Sequence, residues 1–158
     1  MSVLEIAGLL DRKAILPRAA AGSKRHVLSV IAETAARIYR LDPAEAVSAI
    51  MAREARGSTG VGFGVALPHA RVSGLDRVRG VFARLEAPLP FDAVDDQPVD
   101  LVFALFTPDG PQTDHLRALA RISRVLRQGE LREQLRQART TDAIYALLAQ
   151  EERQGAAA

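Results

Sequence analysis

The 158-residue sequence contains no cysteine and no tryptophan, and its lysines are limited to Lys13 and Lys24. The lack of cysteine excludes a disulfide framework and a thiolate zinc site. No apolar run approaches the length of a membrane-spanning helix, and the N-terminus lacks the basic and apolar regions of a signal peptide. These absences predict a cytoplasmic protein with no membrane insertion.

An excess of one charge is also missing. The 21 basic and 19 acidic residues leave a formal net charge of +2, and the arginines are scattered along the chain. A nucleic-acid-binding surface needs a basic stripe with stacking aromatics, so no nucleic-acid partner is predicted.

The length suits a single domain over residues 1–158 with a buried core, and residues 151–158 are expected to form a frayed tail.

Apolar periodicity and turn residues predict helices that alternate with strands. Ser23 is expected to cap one helix, and Asp42 with Pro43 to start the next. In the helix after Thr113, the inward residues are predicted to be Leu116, Leu119, Ile122 and Leu126. The expected helices are 3–10, 23–40, 42–55, from 113 to about 128, a short one around 131–135, and 140–149. The expected strands are 14–16 at a sheet edge, 65–67, 78–85, and 99–106 at the sheet centre. This order indicates an α/β fold with one sheet covered by helices on both faces.

A glycine-rich stretch stands at the centre of the chain, with Gly57, Gly60, Gly62 and Gly64 within eight residues. Such a backbone can pass close to a ligand. The apolar run 65–67 then predicts a strand, which Pro68 is expected to end. His69 is therefore predicted on a loop just past a strand end, where functional groups are commonly held.

Several chemistries can be weighed against this stretch. A nucleotide-binding P-loop would need a lysine, and none follows Lys24. A dinucleotide fingerprint follows a strand and opens a helix, whereas here a helix precedes and a strand follows. His69 and His115 would share a metal only with the help of carboxylates. A histidine nucleophile remains, because a neutral imidazole can attack phosphorus and hold the phosphoryl group as a phosphoramidate.

Residues 53–62 and 64–69 together resemble the active-site signature of the EIIA family of the bacterial phosphotransferase system. The mannitol/fructose type and its nitrogen-regulatory branch fit best, and residues 91–105 with His115 continue the likeness over nearly the whole chain. The resemblance implies a mixed central sheet flanked by helices. It also implies that His69 is phosphorylated, that His115 is the second active-site histidine, and that Arg53 stabilises charge. By itself, Arg53 would only favour the negative end of its helix.

The same resemblance implies a phosphohistidine donor of the HPr class, so that no cofactor or metal is needed. The phosphate is expected to contact a loop formed by Gly57, Ser58, Thr59, Gly60 and Gly62, whose backbone amides complete a cradle. Two positions depart from the family pattern. Phe63 replaces a small polar residue and could alter loop packing or a docking surface. Ala70 replaces a glycine, which narrows backbone freedom after His69.

Three functions stay open. The first is a regulatory phosphocarrier of the nitrogen branch. The second is a sugar-specific fructose or mannitol EIIA that passes phosphate to an EIIB. The third is a module that binds regulated target proteins, either switched by phosphorylation or independent of it.

Overall fold

The computed structural model describes residues 5–157, with side chains placed for residues 5–150. Six helices and six strands lie within this range. The helices are α1 (Ile6–Leu9), α2 (Lys24–Tyr39), α3 (Pro43–Ala55), α4 (Thr113–Leu126), α5 (Gly129–Gln137) and α6 (Thr141–Ala157). The strands are β1 (Leu10–Ala19), β2 (Gly60–Gly62), β3 (Val65–Ala66), β4 (His69–Arg71), β5 (Arg79–Leu89) and β6 (Val99–Thr107).

The strands form one mixed sheet in the order β1-β5-β6-β3-β2, and β4 also pairs with β6. β5 runs antiparallel to β6, whereas β3 and β4 run parallel to it. All of β6 except Asp100 is buried, as suits a strand with neighbours on both sides. The predicted central strand and the predicted edge strand, which is β1, are both confirmed.

Two neighbouring residues of β5 show that helices cover both faces of the sheet. Successive side chains of a strand point to opposite faces. Ala83 lines a cavity with Val27 and Ile31 of α2. Arg84 donates its Nε–H to the carbonyl of Arg136 in α5, at 3.0 Å. The predicted α/β fold, a single domain with a mixed central sheet flanked by helices on both faces, is confirmed.

Local capping places the helices that lead to the glycine stretch. The Ser23 hydroxyl accepts from the backbone N–H of His26 at 3.1 Å, and the Asp42 carboxylate accepts from Glu45 N–H at 3.1 Å. Both caps are those predicted. Because α3 starts at Pro43 and ends at Ala55, its last turn brings Arg53 to the start of the glycine stretch.

Several sequence predictions need correction. α1 ends at Leu9, because Leu10 pairs with Gly80 of β5 and so belongs to the sheet. Val3, the first residue of the predicted helix 3–10, lies outside the described residues. β5 continues through Pro88 to Leu89, where a loop was expected, and Gly129 begins α5. The backbone of α6 runs to Ala157, and Ala158 of the predicted frayed tail lies outside the described residues.

Two further corrections concern the site itself. Leu116 is 64% exposed, and Ala118 and Val125 are buried in α4 together with Ile122 and Leu126. His69 is the first residue of β4, where a loop was expected, because its backbone pairs with Leu105 of β6.

Among the helices of residues 5–157, none is long and apolar enough to span a membrane.

Candidate functional site

His69 is held so that one ring nitrogen carries the hydrogen and the other carries the lone pair. Its backbone lies opposite Leu105 at the start of β4, and its Nδ1 lies 2.9 Å from the carbonyl oxygen of Leu67. A carbonyl can only accept, so Nδ1 carries the hydrogen. In the neutral ring this leaves Nε2 as the acceptor and the nucleophilic nitrogen.

Arg53 bridges that nitrogen and the glycine stretch. Its Nε–H donates to His69 Nε2 at 3.2 Å, and its Nη1 donates to the carbonyl of Gly57 at 2.9 Å. A guanidinium has only donors, so this contact requires the same lone pair on Nε2. The structure thus brings Arg53 and His69 into direct contact, with the cation beside the nucleophilic nitrogen.

His115 packs against the His69 ring. It belongs to the first turn of α4, and the two ring centroids are 5.1 Å apart at an interplanar angle of 81°. Its Nδ1 is buried and has no hydrogen-bond partner among residues 5–150. Since the N-terminal end of a helix carries partial positive charge, this position favours an anion near the ring.

Burial keeps both imidazoles neutral. The pKa of His69 is lowered, mainly by desolvation and further by the Arg53 charge, although the Leu67 carbonyl and Glu54 act in the opposite direction. The pKa of His115 is also lowered, first by desolvation and then by His69, Arg71 and Arg53. At pH 7 both rings are therefore in the form that has a lone pair.

The glycine stretch is tied down by its own hydrogen bonds. Thr59 donates its backbone N–H and its hydroxyl to the Glu54 carboxylate, at 2.9 and 2.6 Å. The N–H of Gly57 donates to the Glu54 carbonyl at 3.2 Å, and that of Gly60 to the Ser58 hydroxyl at 3.0 Å. Three of the amides expected to cradle a phosphate are thus already used within the protein. Gly62 lies in β2, which pairs with β3.

A groove of about 410 Å³ opens at these residues. His69 and Arg53 contribute to its lining. The other lining residues are Leu116, Leu119, Ala120 and Ser123 of α4 and Ser58, Thr59, Val61 and Leu67. Among the described residues, no cluster of three or more His, Cys, Asp or Glu side chains could hold a metal ion. The arrangement offers the neutral imidazole of His69 and the Arg53 guanidinium to a group that enters the groove, and the second imidazole, His115, packs against the first.

Comparison with known proteins identifies the family of the chain. Residues 8–151 match the family model described as "Phosphoenolpyruvate-dependent sugar phosphotransferase system, EIIA 2". The chain belongs to this EIIA family. The resemblance inferred from the glycine stretch is therefore confirmed.

Relatives of this EIIA chain carry two kinds of name. It is 42% identical over 146 residues to a nitrogen regulatory protein of Bradyrhizobium diazoefficiens, and the alignment covers 92% of this chain and 95% of that protein. It is 37% identical over 149 residues to the nitrogen regulatory protein of Escherichia coli K12, covering 93% and 91%. A fructose-specific EIIA component of Haloferax volcanii is 30% identical over 151 residues, covering 95% and 98%.

Solved structures share the fold of this EIIA chain. The nitrogen regulatory protein IIA-Ntr of Neisseria meningitidis superposes with a TM-score of 0.85 at 33% identity, covering 90% of this chain and 98% of that one. The mannitol IIA of Escherichia coli gives a TM-score of 0.75 at 22% identity, covering 88% and 98%. At that identity the second likeness concerns the fold alone.

Sequence reasoning on this EIIA chain missed three charged residues around the site. Glu54 is buried under the glycine stretch and pairs with Lys24 Nζ at 3.0 Å. The sequence feature that could have identified Glu54 is its position next to Arg53, at the helix end that leads into the glycine stretch. Arg71 acts on the pKa of His115 and lies two residues after His69 in a strand, so it points to the same side. Lys24 comes from a distant helix, and no local pattern indicates its role.

Proposed function

We propose that this EIIA chain is a phosphocarrier that accepts a phosphoryl group on Nε2 of His69 from an HPr-like phosphohistidine protein, and that its role is regulatory. The observation that carries the proposal is the state of His69. Its Nδ1–H is held by the Leu67 carbonyl at 2.9 Å, so that Nε2 has a lone pair at the wall of the groove.

The proposed step exchanges one N–P bond for another. The lone pair of His69 Nε2 forms a bond to phosphorus while the N–P bond of the donor breaks, and its electron pair returns to the donor imidazole. His69 keeps the hydrogen on Nδ1, where the Leu67 carbonyl stabilises the positive charge that the ring gains on bonding. The donor ring becomes neutral in turn, so the exchange needs no separate acid or base.

Arg53 and His115 have distinct parts in this proposal. Phosphoryl transfer depends mainly on alignment and on neutralising charge on the equatorial oxygens. In the proposed step Arg53 releases Nε2 and turns its planar donors to those oxygens, a role supported by its contact with Nε2 at 3.2 Å. Because the buried Nδ1 of His115 has no acceptor, the neutral ring favours a hydrogen on Nε2, which can donate to the phosphoryl group.

The regulatory role is supported by the names of the relatives. Two nitrogen regulatory proteins are 42% and 37% identical to this chain, against 30% for the fructose-specific component. The alternative is a sugar-specific EIIA that passes phosphate to an EIIB. A mannitol IIA from Escherichia coli has been solved in complex with phosphorylated IIB, although at 19% identity it shares only the fold with this chain. Regulated target proteins would be further partners, and we place the protein in the cytoplasm with its donor.

Phosphorylation by a pre-phosphorylated HPr-class carrier tests the proposal. Wild-type protein should give an acid-labile, retarded band on Phos-tag gels, and His69→Ala should give none. His26→Ala, which changes an exposed histidine of α2, is the matched control and should behave like wild type. A wild-type protein that is not modified, or a band that persists in His69→Ala, would contradict the assignment.

A further inference from the structure

Phe63 is an exposed aromatic residue in an unusual backbone conformation. It lies at the tip of the hairpin formed by β2 and β3, with φ at 59°, and 63% of its surface is exposed. A bulky residue rarely adopts the left-handed region, and such a residue persists only where its surroundings hold it. Glycine or asparagine would fit there with less strain.

Three side chains hold Phe63 in this conformation. The Asp95 carboxylate accepts its N–H at 3.0 Å, and Arg136 Nη2 donates to its carbonyl at 2.6 Å. Arg136 is itself paired with Asp100 at 2.9 Å. The Arg132 guanidinium lies over the ring, 4.5 Å from its centre. The ring is thus fixed while exposed, and a fixed aromatic side chain loses little conformational entropy when it binds a partner.

Phe63 is also continuous with the groove at His69. It lines a second cavity of about 230 Å³, which shares Val61, Leu67 and Ser123 with that groove. The exposed large hydrophobic residues of the described chain are Val61, Phe63, Val94 and Leu116. The Val94 side chain lies beside β2, because its Cγ1 is 3.8 Å from the position that a Cβ would occupy at Gly62. Exposed apolar side chains collected on one face indicate a protein-binding surface.

The charge near Phe63 is positive. Arg127 lines the second cavity, and neither Arg127 nor Arg132 forms an ion pair within residues 5–150. Of the two carboxylates that hold this segment, Asp100 pairs with Arg136, whereas Asp95 accepts only the N–H groups of Phe63 and Gln97 and keeps its charge. Two unpaired arginines therefore outnumber one unpaired carboxylate. A partner that covers Phe63 would therefore be complementary if it brought carboxylates to these two arginines.

We propose that Phe63 is a preorganised anchor that selects the phosphoryl-donating protein, and that this donor has an apolar pocket flanked by carboxylates. The proposal rests on the proposed function, because it assigns to the same site the surface that recognises its donor. Phe63 lines the second cavity, whereas Arg53 and His69 line the groove, so the proposal gives Phe63 no part in the chemical step.

Two donors separate docking from chemistry. The probes are the phosphorylated HPr-class carrier encoded in the same genome and phosphoramidate, a small donor that needs no docking surface. Phe63→Asn keeps a residue that tolerates the left-handed backbone and removes the ring. We expect it to lower the rate of transfer from sub-saturating carrier at least tenfold and to leave the rate from phosphoramidate unchanged. Equal losses with both donors, or no loss with the carrier, would overturn the anchor.

Charge removal and binding complete the test. Arg127→Gln should weaken carrier binding severalfold and flatten its salt dependence, because a screened attraction is lost. Arg18→Gln, on the opposite edge strand β1, is the matched control and should leave binding unchanged. Calorimetry with the unphosphorylated carrier gives the affinity independently of chemistry. Normal binding without phosphorylation overturns the proposed function alone, whereas no binding by the wild-type protein, or equal affinity in Phe63→Asn, overturns the anchor.

Discussion

The Nε of Arg53 lies 3.2 Å from the Nε2 of His69, so the cation proposed to face a phosphoryl group occupies the lone pair proposed to attack it. This contact and the bond from Nδ1 to Leu67 together orient the ring. In the proposed mechanism, the guanidinium needs only a short rotation to reach the oxygens of a phosphoryl group on Nε2. The proposal thus assigns attack to His69 and charge stabilisation to the arginine that contacts it.

Replacing Arg53 should therefore slow transfer without unfolding the protein. A positioned donor to developing charge contributes about 3 kcal/mol to catalysis, so we expect Arg53→Gln to lose roughly a hundredfold in single-turnover rate. Arg53→Lys keeps the charge but not the planar pair of donors, and it should recover only part of the loss. Rapid-quench measurements with the phosphorylated carrier give these rates. A lysine variant as fast as wild type would argue against the planar contact.

Stability should depend on pH through the two site histidines. The pKa of each is lowered in the folded protein, whereas the unfolded rings titrate near ~6.5. Below that pH the unfolded chain binds more protons than the folded protein. The contribution of the two neutral histidines to the free energy of unfolding is therefore fully present above about pH 6.5, and it is lost as the pH falls toward their pKa values in the folded protein.

Urea unfolding at several values between pH 7.5 and 5.5 measures this effect. The double variant His69→Gln, His115→Gln should show a flatter dependence than wild type across that window. Identical slopes in the two proteins would show that burial does not shift the pKa of either ring.

The ion pair beneath the glycine stretch should be required for stability. Glu54 accepts two hydrogen bonds from Thr59 and pairs with Lys24, with the two side chains 5% and 21% exposed. Lys24→Met keeps most of the aliphatic part of the side chain and removes its ammonium group. The buried Glu54 carboxylate is then left unpaired. We expect a loss of about 3 kcal/mol in unfolding free energy, measured by urea denaturation. Lys13→Met, at an exposed position in β1, should change it by less than about 0.5 kcal/mol.

The ends of helices and the central strand could be predicted from the sequence because their signals are local. Ser23 and Asp42 each cap a helix with their own side chains, and the apolar run of β6 suits a buried strand. β2 could not be predicted, since its three residues include Gly60 and Gly62 and it forms by pairing with β3. The family signature indicated His69, Arg53 and His115. Lys24 depends on tertiary contacts across 30 residues to Glu54, which no spacing reveals.

Leu116 shows where periodicity fails in α4. The apolar stripe of this helix is wider than the surface it buries, so its first leucine faces the groove beside His69. Leu116→Ala should therefore change the unfolding free energy by less than about 0.5 kcal/mol. Ile122→Ala, at a fully buried position of the same helix, should cost about 3 kcal/mol. Equal losses for the two variants, measured by urea denaturation, would place Leu116 in the core.

Nitrogen NMR of the phosphorylated protein tests the central claim most directly. Long-range ¹H–¹⁵N correlation spectra with ³¹P coupling identify which ring nitrogen carries phosphorus. We predict a single phosphorylated site, Nε2 of His69, with the hydrogen retained on Nδ1. Phosphorus on Nδ1 of His69, or on His26 or His115 in place of His69, would contradict the account.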